Sequence, residues 1–216
     1  MSEQLDPATV TRHADPRHWR VLLRTLAAAF KPADYATGAS FAAEVAALAE
    51  AHQHHPDLTL SWGRVGIVLT SHDAGGLTPR DLRMAAAITD LADRMDIPGA
   101  PETLSAQEVA IDALDIPAVL PFWRAVLGYE DDGDGGLVDP SGVGPAYWFQ
   151  QMDEPRPQRN RIHLDITVPH DQAEARVAAA LAAGGTLRSD ERAPAFWVLA
   201  DVEGNEACVC TWQARD

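Results

Sequence analysis

Cysteine and lysine are both scarce in this 216-residue chain: there are two cysteines, Cys208 and Cys210, and Lys31 is the single lysine among 17 basic residues. Two cysteines two positions apart point to the same face of a strand and cannot comfortably pair with each other. A secreted disulfide scaffold is therefore excluded, and a reducing cytoplasm fits best. The lack of lysine reads as coding bias. Basic charge is also short, with 32 acidic residues against those 17, a formal charge of −15. Nucleic acid and anionic membranes want basic patches, so neither is an expected partner. No apolar run reaches the roughly 18 residues of a membrane span, and the first 14 residues hold no signal-peptide core. What is present is an apolar share of 46%, enough for a compact fold and too much for wholesale disorder.

The charge is uneven. Up to Asp96 there are 12 acidic and 9 basic residues, and beyond it 20 and 8, so the two parts carry −3 and −12. Residues 97–106 (IPGAPETLSA) hold two prolines and a glycine without periodicity and read as a linker between domains at 1–96 and 107–216. Tryptophan favours the second part (Trp123, Trp148, Trp197, Trp212), whereas four of the eight histidines (His52, His54, His55, His72) fall within 21 residues of the first.

In the first part, Ser40 can cap a helix to about His52 with Phe41, Val45 and Leu48 on its apolar face. Pro56 ends it by pushing His55 out of the helical region. Residues 58–62 and 64–72 read as strands, with Val65, Ile67 and Leu69 on one face of the second. Gly75-Gly76-Leu77 makes a turn, and Thr78-Pro79-Arg80-Asp81 opens a helix as N-cap, N1 proline and N3 acid, burying Ile88, Leu91 and Met95. Residues 19–30 are ambiguous, because their helix-favouring composition is a weak prior against tertiary pairing.

The chemistry falls at the junctions. Glu50 lies one helical turn before His54, so the two could touch. His54 and His55 stand where a helix breaks, His72 where a strand ends, and Asp81 in a first helical turn. Imidazoles titrate near neutrality and carboxylates orient them, a combination suited to moving protons in both directions. Plainer readings compete: Asp81 as a helix N3 residue, His52 as a packed core or interface histidine, and His-x-His-His…His as a zinc-type site. No cysteine supports the metal, and adjacent His54 and His55 cannot easily share one ion.

Glu50-x-x-x-His54-His55-Pro56, followed by Trp62, His72 and Asp81 at their spacings, and the run LTSHDAGGLTPRD at residues 69–81, resemble the pterin-4a-carbinolamine dehydratases over residues 19–96. That resemblance implies an α+β fold: an antiparallel four-stranded sheet with helices on one face, assembled as a homodimer or homotetramer. It implies no metal and no cofactor. His54, His55 and His72 would be the acid/base histidines, with Glu50 and Asp81 as supporting carboxylates. Gln53, Thr70, Ser71 and Asp73 would join the histidines around a pterin. The implied reaction is loss of water from 4a-hydroxytetrahydrobiopterin to the quinonoid dihydropterin, with the acid and base roles of the histidines left open. Some family members also serve as dimerisation partners of a transcription factor.

The second part repeats itself. Residues 108–152 and 162–212 each start with a strand (EVAIDA, IHLDIT), continue into a helix, and return through Pro-Ala-aromatic-Trp, at Pro145–Trp148 and Pro194–Trp197. FWRAVLGY, RIHLDI and ADVEGNEACV resemble the glyoxalase-like branch of the vicinal oxygen chelate superfamily, which implies paired βαβββ modules around a cleft. Superfamily enzymes hold a divalent metal through His and Glu; here His163 matches, the first-module position falls at Glu108 or Ala110, Gln150 replaces a carboxylate, and the last-strand glutamate position falls at Cys208, whose face Glu206 and Cys210 share. Glu108, His163 and Glu206 form the alternative metal set, against a metal-free pocket or packing module in which Trp148 and Trp197 are core. Two rivals to the dehydratase follow: a metal-dependent lyase, isomerase or dioxygenase centred on the second part, and a binding or dimerisation module with no catalysis.

Overall fold

A computed structural model describes residues 3–155, 164–211 and 213. The chain divides into two compact units, Met1–Ala106 and Gln107–Asp216.

The first unit runs α1 (Pro7–His13), β1 (Trp19–Leu22), β2 (Thr25–Phe30), α2 (Tyr35–His52), β3 (Asp57–Ser61), β4 (Arg64–Leu69) and α3 (Pro79–Arg94). The four strands form an antiparallel sheet in the order β1-β2-β4-β3. The ambiguous residues 19–30 are thus a hairpin. Their alanines pair between two strands, and Trp19, Leu26 and Phe30 are buried, so tertiary pairing overrides helix propensity here. The period-2 reading of β4 holds, with Val65, Ile67 and Leu69 all at 0% exposure beneath Phe41 and Val45 of α2 and Met84 and Ile88 of α3.

Two boundaries differ from expectation. Helix α2 begins at Tyr35, not Ser40, because the Asp34 carboxylate accepts from the Thr37 N–H at 2.7 Å and starts the helix earlier. Strand β4 stops at Leu69, and His72 opens a single 3-10 turn, His72–Ala74, closed by Gly75 at φ +66°.

The stretch after α3 is pinned to β2. The Lys31 N–H donates to the Pro98 carbonyl (2.9 Å), the Ala100 N–H donates to Ala29 (2.7 Å), and Gly99 bridges Phe30. Gly99 sits against His18, which is buried, stacked on Phe30 at 5.1 Å and without a hydrogen-bond partner on either ring nitrogen. A Cβ at Gly99 would overlap both His18 Nδ1 and the Arg17 carbonyl oxygen.

The second unit holds β5 (Glu108–Ala113), α4 (Ile116–Leu127), β6 (Glu130–Asp131), β7 (Leu137–Val138) and β8 (Ala146–Gln151), then β9 (Asp165–Thr167), α5 (Ala173–Ala182), β10 (Thr186–Ser189), β11 (Phe196–Ala200) and β12 (Glu206–Cys210). Its sheets run β5-β8-β7-β6 and β9-β12-β11-β10, with the first strand of each module parallel to its last. The paired βαβββ expectation therefore holds, but its internal register changes. The two Pro-Ala-aromatic-Trp runs lead into β8 and β11, which occupy different places: β8 pairs with the opening strand of its module, and β11 does not. The counterpart of β8 is β12. The turns that do correspond are Asp139-Pro-Ser-Gly142 and Asp201-Val-Glu-Gly204, each with its glycine at positive φ and its aspartate accepting backbone N–H groups two and four residues on. Trp148, expected in the core, is 43% exposed, and Trp197 is partly buried, packed against the core of this unit. Among the described residues of this unit the core tryptophan is Trp123, whose Nε1–H donates to the buried Asp201 at 3.0 Å.

Gly99→Ala should destabilise the protein by about 1–3 kcal/mol, because the new methyl meets backbone as well as a ring; chemical denaturation would show it as a lowered midpoint. Burial first, then the Arg17 guanidinium, push the His18 imidazole below its ordinary value of 6.5. The unfolded chain therefore takes up that proton first, so this contribution is full above pH 6.5 and declines as pH falls through 6.5 toward the folded value. Urea midpoints measured from pH 8 to 5 should fall less steeply in His18→Phe than in the wild type.

Candidate active site

The site residues come from three chain junctions. Helix α2 ends at Gln53, which adopts a left-handed conformation (φ +49°) and caps the helix by donating its N–H to the last turn. That reversal, with Pro56 holding His55 away from helical geometry, sends the two adjacent histidines different ways. His54 is buried, and its Nε2 lies 2.7 Å from Asp81 Oδ1. His55 is exposed, and its Nε2 lies 3.1 Å from Glu50 Oε1. The expected Glu50–His54 contact is thus replaced by Glu50–His55, because His54 turns inward to α3. His52, placed on the apolar face by periodicity, is exposed.

Asp81 is fully buried. It opens α3 as the N3 member of a capping box with Thr78, as the Thr-Pro-Arg-Asp run predicts. Its two oxygens divide the work. Oδ2 accepts from the Thr78 N–H (2.7 Å) and the Ser71 hydroxyl (2.8 Å), with the Thr78 hydroxyl at 3.3 Å. Oδ1 is left for His54. One side chain thus caps α3 and holds His54. An ionised carboxylate only accepts, so His54 Nε2 carries the hydrogen and the lone pair of the neutral ring sits on Nδ1.

His72 is exposed at the start of its 3-10 turn. The neck of that loop is closed by a two-way backbone pairing of Ser71 with Gly76 (3.0 and 3.4 Å). Outside the neck, the Gln4 amide donates to the Ala74 carbonyl, and the Leu5 N–H donates to Leu77 at 2.8 Å. Asp73 is exposed and paired with Arg80, whose hydrogen bond holds the Asp73 carboxyl below its ordinary range. Thr70 is half-buried, with its hydroxyl near the Arg24 carbonyl, and the Gln53 side chain donates to the Glu50 carbonyl at 2.8 Å. Ser71, expected to line the pocket, is 1% exposed and spends its hydroxyl on Asp81 and Thr78. Thr78 and Arg80 were legible as helix-start residues but not as partners of the site; their signal was the capping box itself, which places them beside Asp81.

The zinc-type reading of the histidines fails on geometry, since His54 and His55 aim Nε2 at different carboxylates. Among the described residues no three His, Cys, Asp or Glu side chains are grouped to hold a metal. In the second unit, burial, with Asp165 beside it, pushes the Cys208 thiol up to about 11. Gln150 donates its side-chain N–H to the Gln151 carbonyl, and His163 lies outside the described residues. Of the set Glu108, His163 and Glu206, the two described members open strands β5 and β12. A cavity of about 230 Å³ lies on the opposite face of the first sheet, lined by Thr25, Ala27, Thr59, Arg64 and Gly66, and contains none of the histidines.

The first unit is therefore an α+β domain carrying a buried imidazole–carboxylate pair next to an exposed one. The family model for pterin 4 alpha carbinolamine dehydratase matches residues 3–91, and the model for a glyoxalase-like domain matches residues 108–210. A protein named "Putative pterin-4-alpha-carbinolamine dehydratase" from Chloroflexus aggregans is 40% identical over 94 residues, which are 41% of this chain and 96% of the relative. A transcriptional coactivator/pterin dehydratase structure from Brucella melitensis is 27% identical, covering 42% of this chain and 99% of that one, with a TM-score of 0.39. A glyoxalase/bleomycin resistance protein/dioxygenase family enzyme from Burkholderia phytofirmans is 20% identical, covering 48% and 95%, with a TM-score of 0.41. The chain belongs to the pterin-4a-carbinolamine dehydratase family through its first unit, and a glyoxalase-like domain follows it.

Removing the buried carboxylate and removing the exposed one should differ sharply. Asp81→Ala strands the Thr78 N–H, the Ser71 hydroxyl and the His54 N–H, and should cost about 3–5 kcal/mol in urea denaturation. Glu50→Ala breaks an exposed pair and should cost less than about 1 kcal/mol.

Proposed function

We propose that the first unit dehydrates a 4a-hydroxytetrahydropterin to the quinonoid dihydropterin by acid/base catalysis, without a metal or cofactor. The observation that carries this is the division between His54, buried and oriented by Asp81, and His55, exposed and paired with Glu50. The reaction moves protons and no net electrons. N5 gives up its proton, its electron pair forms the N5=C4a bond, the C4a–O bond breaks, and the departing hydroxide leaves as water on taking a proton. The chain must supply one acceptor and one donor. His55 and His72 are exposed and available to a ligand, whereas His54 is locked in one tautomer from behind. Asp73 and Thr70 flank His72 at the rim.

Self-association as a homodimer or homotetramer agrees with β3, an edge strand whose Leu58 is 37% exposed, followed at the hairpin turn by Trp62 at 83% exposure. No helix among the described residues is long and apolar enough to cross a membrane. Two buried free thiols suit the cytoplasm.

Stopped-flow absorbance with freshly generated 4a-hydroxytetrahydrobiopterin tests the proposal. The wild type should accelerate the decay, and His55→Ala and His72→Ala should each lose about 10²–10⁴-fold. Wild-type decay no faster than buffer would overturn it.

A further inference from the structure

We infer that Ser71 is a positioning residue of the dehydratase site, acting through Asp81 on His54. This rests on the function proposed above. Ser71 is 1% exposed, so its hydroxyl is out of a ligand's reach, yet among the described residues it is the only side-chain hydroxyl at normal hydrogen-bond length on Asp81 Oδ2 (2.8 Å). The Thr78 hydroxyl lies 2.8 Å from Ser71 Oγ and 3.3 Å from the carboxylate. Ser71 has one hydroxyl hydrogen, so with that hydrogen on Asp81 the Thr78 hydroxyl donates to Ser71, a chain running Thr78, Ser71, Asp81, His54. Each link fixes the next: the serine stops the carboxylate from rotating, and the carboxylate fixes which imidazole nitrogen of His54 bears hydrogen.

The same residue is tied to the other side of the site. Its backbone N–H and carbonyl pair with Gly76 and close the loop that carries His72. Side chain and backbone thus serve different histidines, and substitution of the side chain leaves the His72 loop its backbone closure. Within the folded protein, loss of the hydroxyl should act on His54 alone.

The test compares Ser71→Ala, Ser71→Cys and Ser71→Thr in the full chain. Readouts are kcat and KM with 4a-hydroxytetrahydrobiopterin, the pH–rate profile, and the downfield His54 Nε2–H proton resonance. A hydrogen bond to a charged group carries about 10–100-fold. Ser71→Ala and Ser71→Cys should therefore lose about 10–100-fold in kcat with KM within about 2-fold of wild type, an altered pH–rate profile, and a shifted or broadened His54 resonance. Ser71→Thr, which keeps the hydroxyl, should restore both. Ser71→Cys preserves size, so it reports if Ser71→Ala fails to fold. Wild-type kcat and resonance in a folded Ser71→Ala or Ser71→Cys would overturn the inference. A rise in KM with kcat intact would also overturn it, since Ser71 would then contact the pterin. So would a loss of thermal stability with kcat and resonance unchanged. Absence of turnover in the wild type would defeat the proposed function, and the resonance would still decide whether Ser71 holds Asp81 and His54.

Discussion

A single buried carboxylate organises the first unit. Asp81 joins three junctions of the chain: it starts α3 through the Thr78 N–H, receives Ser71 from the exit of β4, and receives His54 from the exit of α2. Leaving an ionised group in a dry interior costs several kcal/mol unless its lone pairs are met. Here both oxygens are supplied, and every donor comes from a different structural junction or from the helix start itself. The fold can bury the charge only by bringing those junctions together, and bringing them together is what makes a site.

The second unit uses the same device twice, with different outcomes. Asp139 and Asp201 stand in corresponding turns of the duplicated modules and accept backbone N–H groups in the same pattern. Asp139 is half-buried; the Ser141 hydroxyl, followed by the N–H groups of its own turn, draws its carboxyl down to about 2. Asp201 is buried, and its outer oxygen takes Trp123 of α4 (3.0 Å) and Asn205 (2.9 Å). The neighbouring Glu203 accepts the Leu114 and Asp115 N–H groups at the start of α4. One copy of the turn is a local loop clamp, and the other locks the second module onto the helix of the first.

How much of this was legible follows from the range of each interaction. The capping box, the β4 alternation and the break at Pro56 are local, and the structure keeps all three. The partner of His54 was not legible, because residue spacing offers Glu50 four positions away while Asp81 lies 27 away. A helical neighbour is the best estimate only if the helix continues, and Gln53 turns left-handed one residue too early for that. The hairpin at residues 19–30 was ambiguous for the same reason, since alanine-rich strands carry no period of their own. In the second unit the repeat was legible and its register was not. Pro-Ala-aromatic-Trp is conspicuous in sequence, but a strand's place is set by its pairing, and the plain Asp-x-x-Gly turns mark the true correspondence.

With one imidazole buried and the other exposed, the proposed reaction meets a general difficulty of acid/base catalysis. Loss of water with loss of an N–H needs a donor and an acceptor at once, and identical environments would give two histidines the same protonation. His54 and His55 are adjacent in sequence and would share an environment on a continuous helix or strand. The left-handed cap at Gln53 separates them, sending one to a buried carboxylate also held by Ser71 and Thr78 and the other to a solvated glutamate. The asymmetry that the proposed dehydration requires is therefore produced by the backbone, at the one residue where α2 ends.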